Sequence, residues 1–181
     1  MKLVGISGSI IGNKTSKAVY EVLLAAQVFD PSIQIELIDL KDYDVEFVRG
    51  IPLSDYNEDT RKVVNTIISA DFLVVGSPIY QASIPGVLKN LFDHLPVDSL
   101  KSKVAGMVVT GGTDKHFLVM EYHLKPILTY LKGMVPVENV FIQNESYDEN
   151  NEIKDEDIKT RIKNLAEEMT FLQKALQLKN N

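Results

Sequence analysis

The sequence contains no cysteine among its 181 residues. Disulfides, thiolate metal sites and a cysteine nucleophile are therefore excluded together. Histidine is scarce as well: His94, His116 and His123 are the only three, too few and too scattered to suggest a metal cluster. Arginine is limited to Arg49, Arg61 and Arg161. Positive charge as a whole is outnumbered, with 19 Lys and Arg against 25 Asp and Glu, a formal net charge of −6. That balance argues against general affinity for nucleic acid or an anionic membrane. No apolar run approaches the roughly 20 residues needed to span a bilayer. Met1 leads straight into a strand-like run without the basic flank and apolar core of a secretory signal. The expected location is the cytoplasm. What is present is ordinary for a globular chain, 45% hydrophobic and 24% charged. A chain this long buries roughly 70% of its unfolded surface, so one domain over residues 1–181 is expected.

Short apolar runs alternate with helical patterns throughout. Leu3-Val4-Gly5-Ile6, Phe72-Leu73-Val74-Val75 and Val104 to Val109 are continuous apolar runs, as strands buried on both faces require. Ile33 to Ile38 alternates and Val137 to Ile142 is mixed, as suits two edge strands. Helical spacing is read near 15–28, 56–69, 84–95, 114–132 and 155–177. The second of these opens with a box-like Asp55-x-x-Glu58. The last carries Ile158, Ile162, Leu165, Met169, Leu172 and Leu176 at 4-3-4-3-4 spacing. That stripe is under three heptads, so core packing is preferred to a coiled coil. The acidic stretch Asn144 to Asp157 reads as a solvated loop. The alternation predicts an α/β fold: a doubly wound parallel sheet of five strands in the flavodoxin-like order 2-1-3-4-5, helices on both faces. Ligands of such sheets bind beyond the carboxyl ends of the strands at the switch point between strands one and three.

Three loops meet there. Ser7 to Lys17 follows a strand and opens a helix, and it offers hydroxyls, glycines, Lys14 and Lys17 to a phosphate. It is neither a Walker A loop nor a Gly-x-Gly-x-x-Gly fingerprint. Gly76 to Gly86 leaves the third strand with two prolines to stiffen it and Tyr80 to face a planar ligand. Thr110-Gly111-Gly112-Thr113-Asp114 permits close backbone approach, with Thr113 as a helix cap. An acidic cluster of response-regulator type is missing, because Ser7 and Ser77 stand at the strand ends.

Gly8-Ser9 followed by Ser77-Pro78-Ile79-Tyr80-Gln81-Ala82-Ser83-Ile84-Pro85-Gly86-Val87-Leu88-Lys89-Asn90 resembles the NADPH-dependent FMN reductase family. Thr110 to Thr113 with His116, Tyr122 and Leu124-Lys125-Pro126 is similar to the flavin reductases that supply reduced FMN to two-component alkanesulfonate monooxygenases. The resemblance runs from about Lys2 to about Ile142. It implies a flavodoxin-like fold, FMN as cofactor, and NADPH or NADH as hydride donor stacking on the flavin. It places the FMN phosphate on Ser9, Lys14, Thr15, Ser16 and Lys17. The ring would lie against Pro78, Ile79, Tyr80 and Gln81, with Gly111, Gly112 and Thr113 at its pyrimidine end. Many members carry Arg where this chain has Ile11. Arg49, in the long loop 39–55, is the candidate contact for the nicotinamide partner.

Pro126 lies inside a helical pattern and cannot donate to the Tyr122 carbonyl, so the helix should widen or kink there. The resembling monooxygenase-linked reductases carry a Tyr in a π-helical turn at their subunit interface, where FMN acts as a released substrate, and Tyr122 takes that role by resemblance. The implied chemistry belongs to the cofactor, so no catalytic acid or base is named. The implied partners are a flavin-dependent monooxygenase and further copies of the chain, as a homodimer or homotetramer. Leu88, Leu91, Phe92 and Leu95, with the 114–132 helix, are the candidate oligomer surface. Two alternatives are a quinone or azo reductase with tightly held FMN and a non-enzymatic flavodoxin-type electron carrier.

Overall fold

A computed structural model describes residues 1–180. The apolar runs form strands β1 (Lys2–Ser7), β2 (Gln34–Asp39), β3 (Phe72–Pro78), β4 (Ala105–Gly111) and β5 (Val140–Gln143). They make one parallel sheet in the expected order β2-β1-β3-β4-β5. Helices α1 (Lys14–Phe29), α2 (Glu58–Ser69), α3 (Gly86–Asp93), α4 (Lys125–Tyr130) and α5 (Glu156–Asn180) cover its two faces.

Side chains alternate across each strand, so the sheet supplies two separate cores. Val4, Ile6, Leu73, Val75, Met107 and Val109 pack toward α2, α3 and α4. Leu3, Phe72, Val74 and Val108 pack toward α1 and α5. Each fully buried Leu, Ile, Val or Phe of these cores contributes about 1.5–3 kcal/mol. The α5 stripe is core, as expected: Ile158, Ile162, Leu165 and Met169 are buried against α1 and the sheet.

One contact fixes the height of α1 on the sheet. A Cβ on Gly76 would lie 2.2 Å from Val19 Cγ2 and 3.0 Å from Thr15 Cγ2. Glycine there lets the first turn of α1 sit directly on the end of β3.

Several expectations need correction. The Asp55…Glu58 box does not form, because Leu53–Asp55 is a 3₁₀ turn and α2 is capped by Asn57, whose side chain accepts the Thr60 N–H. The fifth strand begins at Val140 and not at Val137. Asn139 is instead buried, its side-chain oxygen accepting the Met107 N–H at 3.0 Å, which ends the register before the strand begins. The segment 114–132 is not one helix: a 3₁₀ turn (Asp114–His116), a π-helical turn (Met120–Leu124) and α4 follow each other. Leu88, Leu91, Phe92 and Leu95 are buried within the protomer's own core and do not form an exposed apolar face. The segment Asn144 to Asp157 is a built structure and not a solvated loop, since Tyr147 and Ile153 are buried in the α1–α5 core.

Candidate functional site

The first loop ends in an uncapped helix. Asn13 occupies the N-cap position of α1, yet its side chain makes no capping hydrogen bond. Among the described residues, the N–H groups of Lys14, Thr15 and Ser16 find no acceptor. They therefore remain as donors at the positive end of a 16-residue helix, the arrangement that attracts an anion. Gly12 holds a left-handed φ of 71° with open space around it, which turns the chain into the helix. Ser9 Oγ donates to the Ile11 carbonyl at 2.7 Å and accepts from Tyr80 Oη at 3.2 Å, tying this loop to the next. Thr15 and Thr110 join hydroxyls at 2.8 Å in a buried pair that ties α1 to the end of β4.

The second loop is a two-residue hairpin. Tyr80 and Ser83 exchange both backbone hydrogen bonds, at 3.0 and 3.1 Å. Gln81 and Ala82 between them hold φ values of 48° and 60°. Two left-handed residues in a row define the primed turn that matches strand twist, and non-glycine residues are strained in it. The hairpin stands Pro78, Ile79 and Tyr80 along one side of a cleft. Gly111 and Gly112 close its far end, where the Gly112 and Thr113 N–H groups have no acceptor among the described residues.

A third wall comes from beyond β5. Residues 147–153 form a tight loop closed by a Tyr147–Ile153 bridge, with Asp148 Oδ1 accepting the N–H groups of Asn150 and Glu152 at 2.9 and 2.8 Å. Five contacts lay this loop, with Asn144 before it, on the start of α1. Lys14 Nζ donates to Asn144 Oδ1 at 3.1 Å, Tyr147 Oη to the Lys14 carbonyl at 3.2 Å, and Asn151 Nδ2 to Asn13 Oδ1 at 2.9 Å. Lys17 Nζ pairs with the Glu152 carboxylate and donates to the Asn150 carbonyl at 2.8 Å. Burial pushes the Tyr147 phenol far above its ordinary value, so it stays a neutral donor.

The cleft between these walls has a volume of about 360 Å³. Of the residues expected there, Ser9, Lys14, Thr15, Pro78, Ile79, Tyr80, Gly111 and Gly112 line it, whereas Ser16, Lys17, Gln81 and Thr113 do not. Ser16 is buried with its hydroxyl on the Asn13 carbonyl, and Lys17 is engaged by Glu152. Thr113 caps the 3₁₀ turn by accepting the Lys115 N–H. Asn13, Thr110, Asn144 and Asn151 line the cleft without having been expected. Asn144 and Asn151 arrive through tertiary packing, and no local signal marks them. Ile11, 73% exposed, also lines it.

Arg49 lies away from the lining. Its guanidinium pairs with Glu46 at 2.9 Å and sits 5.2 Å from the Tyr56 ring centre, while its N–H donates to Tyr56 Oη. The loop that carries it is pinned by His94 Nε2 and Asn90 Nδ2, both donating to the Glu46 carbonyl. His94 thus anchors this loop. Tyr122 is 71% exposed inside the π-helical turn, where the Lys125 N–H donates to the Met120 carbonyl five residues back. The widening falls immediately before Pro126, as the missing N–H of that proline requires.

Known proteins resemble this chain in sequence and in fold. The family model for NADPH-dependent FMN reductase matches residues 1–148. A protein of Geobacillus thermodenitrificans named NAD(P)H-dependent FAD/FMN reductase is 44% identical over 177 residues, covering 98% of this chain and 96% of its own. An FMN reductase (NADPH) of Pseudomonas aeruginosa is 29% identical, covering 92% and 89%. Among solved structures, an NADH:FMN oxidoreductase in its apo form superposes with a TM-score of 0.79 at 28% identity, covering 94% of this chain and 88% of its own. The chain belongs to the NADPH-dependent FMN reductase family.

Proposed function

We propose that this protein is an NAD(P)H-dependent FMN reductase that uses the cleft at the ends of β1, β3 and β4. The observation that carries this reading is the uncapped start of α1 opposite a rigid wall of Pro78, Ile79 and Tyr80. The donor set suits FMN. Free N–H groups and Lys14 Nζ suit a phosphate monoester. The proline and aromatic wall suits a flat ring, and the free Gly112 and Thr113 N–H groups suit the polar end of that ring. FMN held there would supply the redox chemistry, that of a hydride acceptor for a reduced nicotinamide. The chain's own work is binding and orientation. Lys14 and the helix start fix the anionic end, the hairpin holds the ring's plane, and the glycine N–H groups stabilise negative charge developing there. No side-chain acid or base takes part. Names of relatives include both NADPH and NADH, and either donor fits this reading.

Two features favour FMN as an exchanged substrate over a fixed prosthetic group. Ile11 stands where a family arginine would face the phosphate, and Lys17 is paired away with Glu152. Reduced FMN would then pass to a flavin-dependent monooxygenase. The exposed row Phe117, Leu118, Tyr122 and Tyr130 would meet a second copy, giving a dimer or tetramer.

The test is oxidation of NADPH and of NADH by purified protein with and without added FMN, followed by nicotinamide absorbance. A rate that rises with added FMN in a colourless preparation is the expected result. A preparation that oxidises neither nucleotide at any flavin concentration overturns the reading. A yellow protein whose rate ignores added FMN and follows ping-pong kinetics on quinones or azo dyes replaces it with the fixed-flavin alternative.

A further inference from the structure

The loop after β5 meets the phosphate-facing segment at two points with opposite electrostatic sense. Asn13 stands where a helix cap belongs, and asparagine is among the best capping residues. It does not cap α1: its backbone, at φ −140° and ψ 2°, lies outside the extended range of a cap, and its side-chain oxygen is turned to Asn151 Nδ2 at 2.9 Å. The N–H groups of Lys14, Thr15 and Ser16 stay uncapped beside that contact. One residue further on, the Glu152 carboxylate pairs with Lys17 Nζ and neutralises a cation beside the same helix start. The loop is rigid enough to do this. Asp148 organises its backbone, Tyr147 and Ile153 anchor it in the core, and Asn151 holds a left-handed φ of 58° that asparagine tolerates.

We propose that Asn151 and Glu152 are positioning residues for the phosphate end of the flavin, and that they set how strongly the protein prefers FMN to riboflavin. Asn151 raises the preference by holding the Asn13 cap off the helix. Glu152 lowers it by neutralising Lys17. The net result is a phosphate site that is open but weakly charged, so the flavin binds and leaves. This inference rests on the assignment of the phosphate to the start of α1.

The experiment measures dissociation constants for FMN and for riboflavin by flavin fluorescence quenching, on the wild-type chain and two variants. Asn151→Gly keeps the left-handed backbone and removes the amide. Asn13 is then free to cap α1 and compete with the phosphate, and FMN binding is expected to weaken about fivefold, the typical worth of a helix cap. Glu152→Gln is expected to tighten FMN binding about threefold at low salt, less as ionic strength rises, as for an exposed charge pair. Riboflavin, which has no phosphate, should change in neither variant. In an Asn13→Ala background, Asn151→Gly should produce no further change, because no side chain is left to compete. That result separates competition for the helix start from general loosening of the loop. Equal changes for FMN and riboflavin, or an FMN-to-riboflavin ratio within twofold of wild type in both variants, would overturn the inference and leave the reductase reading intact. A wild-type chain that binds neither flavin overturns both.

Discussion

The two loops that face each other across the cleft are built in different ways. The hairpin Tyr80–Ser83 carries its own instructions: prolines on both sides, a two-residue turn and backbone bonds that close within four residues. The stretch 8–13 does not close on itself to the same degree. It takes its shape from Tyr80, from Gly76 beneath α1, and from Asn144, Tyr147 and Asn151 far along the chain. A rigid wall is thus local, and a donor-rich wall is assembled from several places. The comparison indicates that the hairpin side of the cleft should survive distant changes and the side formed by the start of α1 should not.

The strongest way to break the first loop lies under it. Gly76→Ala drives a methyl into Val19 and Thr15 and is expected to cost about 3 kcal/mol, read by urea denaturation. A loss under 1 kcal/mol would show that α1 can ride up without harm. Next comes the hydroxyl pair. Thr110→Val strands the buried Thr15 hydroxyl and should cost about 1–2 kcal/mol. The double variant Thr15→Val/Thr110→Val should lose less than the sum of the single changes, and strict additivity would argue that the pair does not couple helix to strand. The smallest effects form a mirror pair. Ala82→Gly relieves a left-handed alanine in the hairpin and should stabilise by about 0.5–1 kcal/mol. Gly12→Ala forces the opposite change in the first loop and should destabilise by about 1 kcal/mol. Thermal melts of the two variants shifting in the same direction would contradict the contrast between the loops.

That contrast also explains what could be read from the sequence. The sheet order was legible because buried and edge strands differ in their apolar pattern, and β2 and β5 do lie at the edges. The wall of the cleft at Pro78, Ile79 and Tyr80 was legible because Ser77 to Asn90 is one continuous motif. The widened turn was legible because Pro126 must leave the Tyr122 carbonyl without its usual donor. The role of Asn144 to Asp157 was hidden because its acidic composition looks like a solvated loop, while its function lies in contacts with residues near the start of the chain. Leu88, Leu91, Phe92 and Leu95 were misread as surface because helical periodicity shows an apolar face without saying what covers it. Asn57 and not Asp55 caps α2 because Leu53–Asp55 closes its own 3₁₀ turn, which Arg61 Nη1 of α2 fastens to the helix through the Ser54 and Tyr56 carbonyls.

The fastening of the loop after β5 onto α1 also sets an order in time. Its contacts join residues 130 to 138 positions apart, Lys14 with Asn144, Lys14 with Tyr147, and Asn13 with Asn151. A chain emerging from the ribosome can make β1 and α1 early, but it cannot shape the anion-facing end of its cleft until residue 151 is free to reach back. The finished shape of the cleft is therefore among the last features the growing chain acquires.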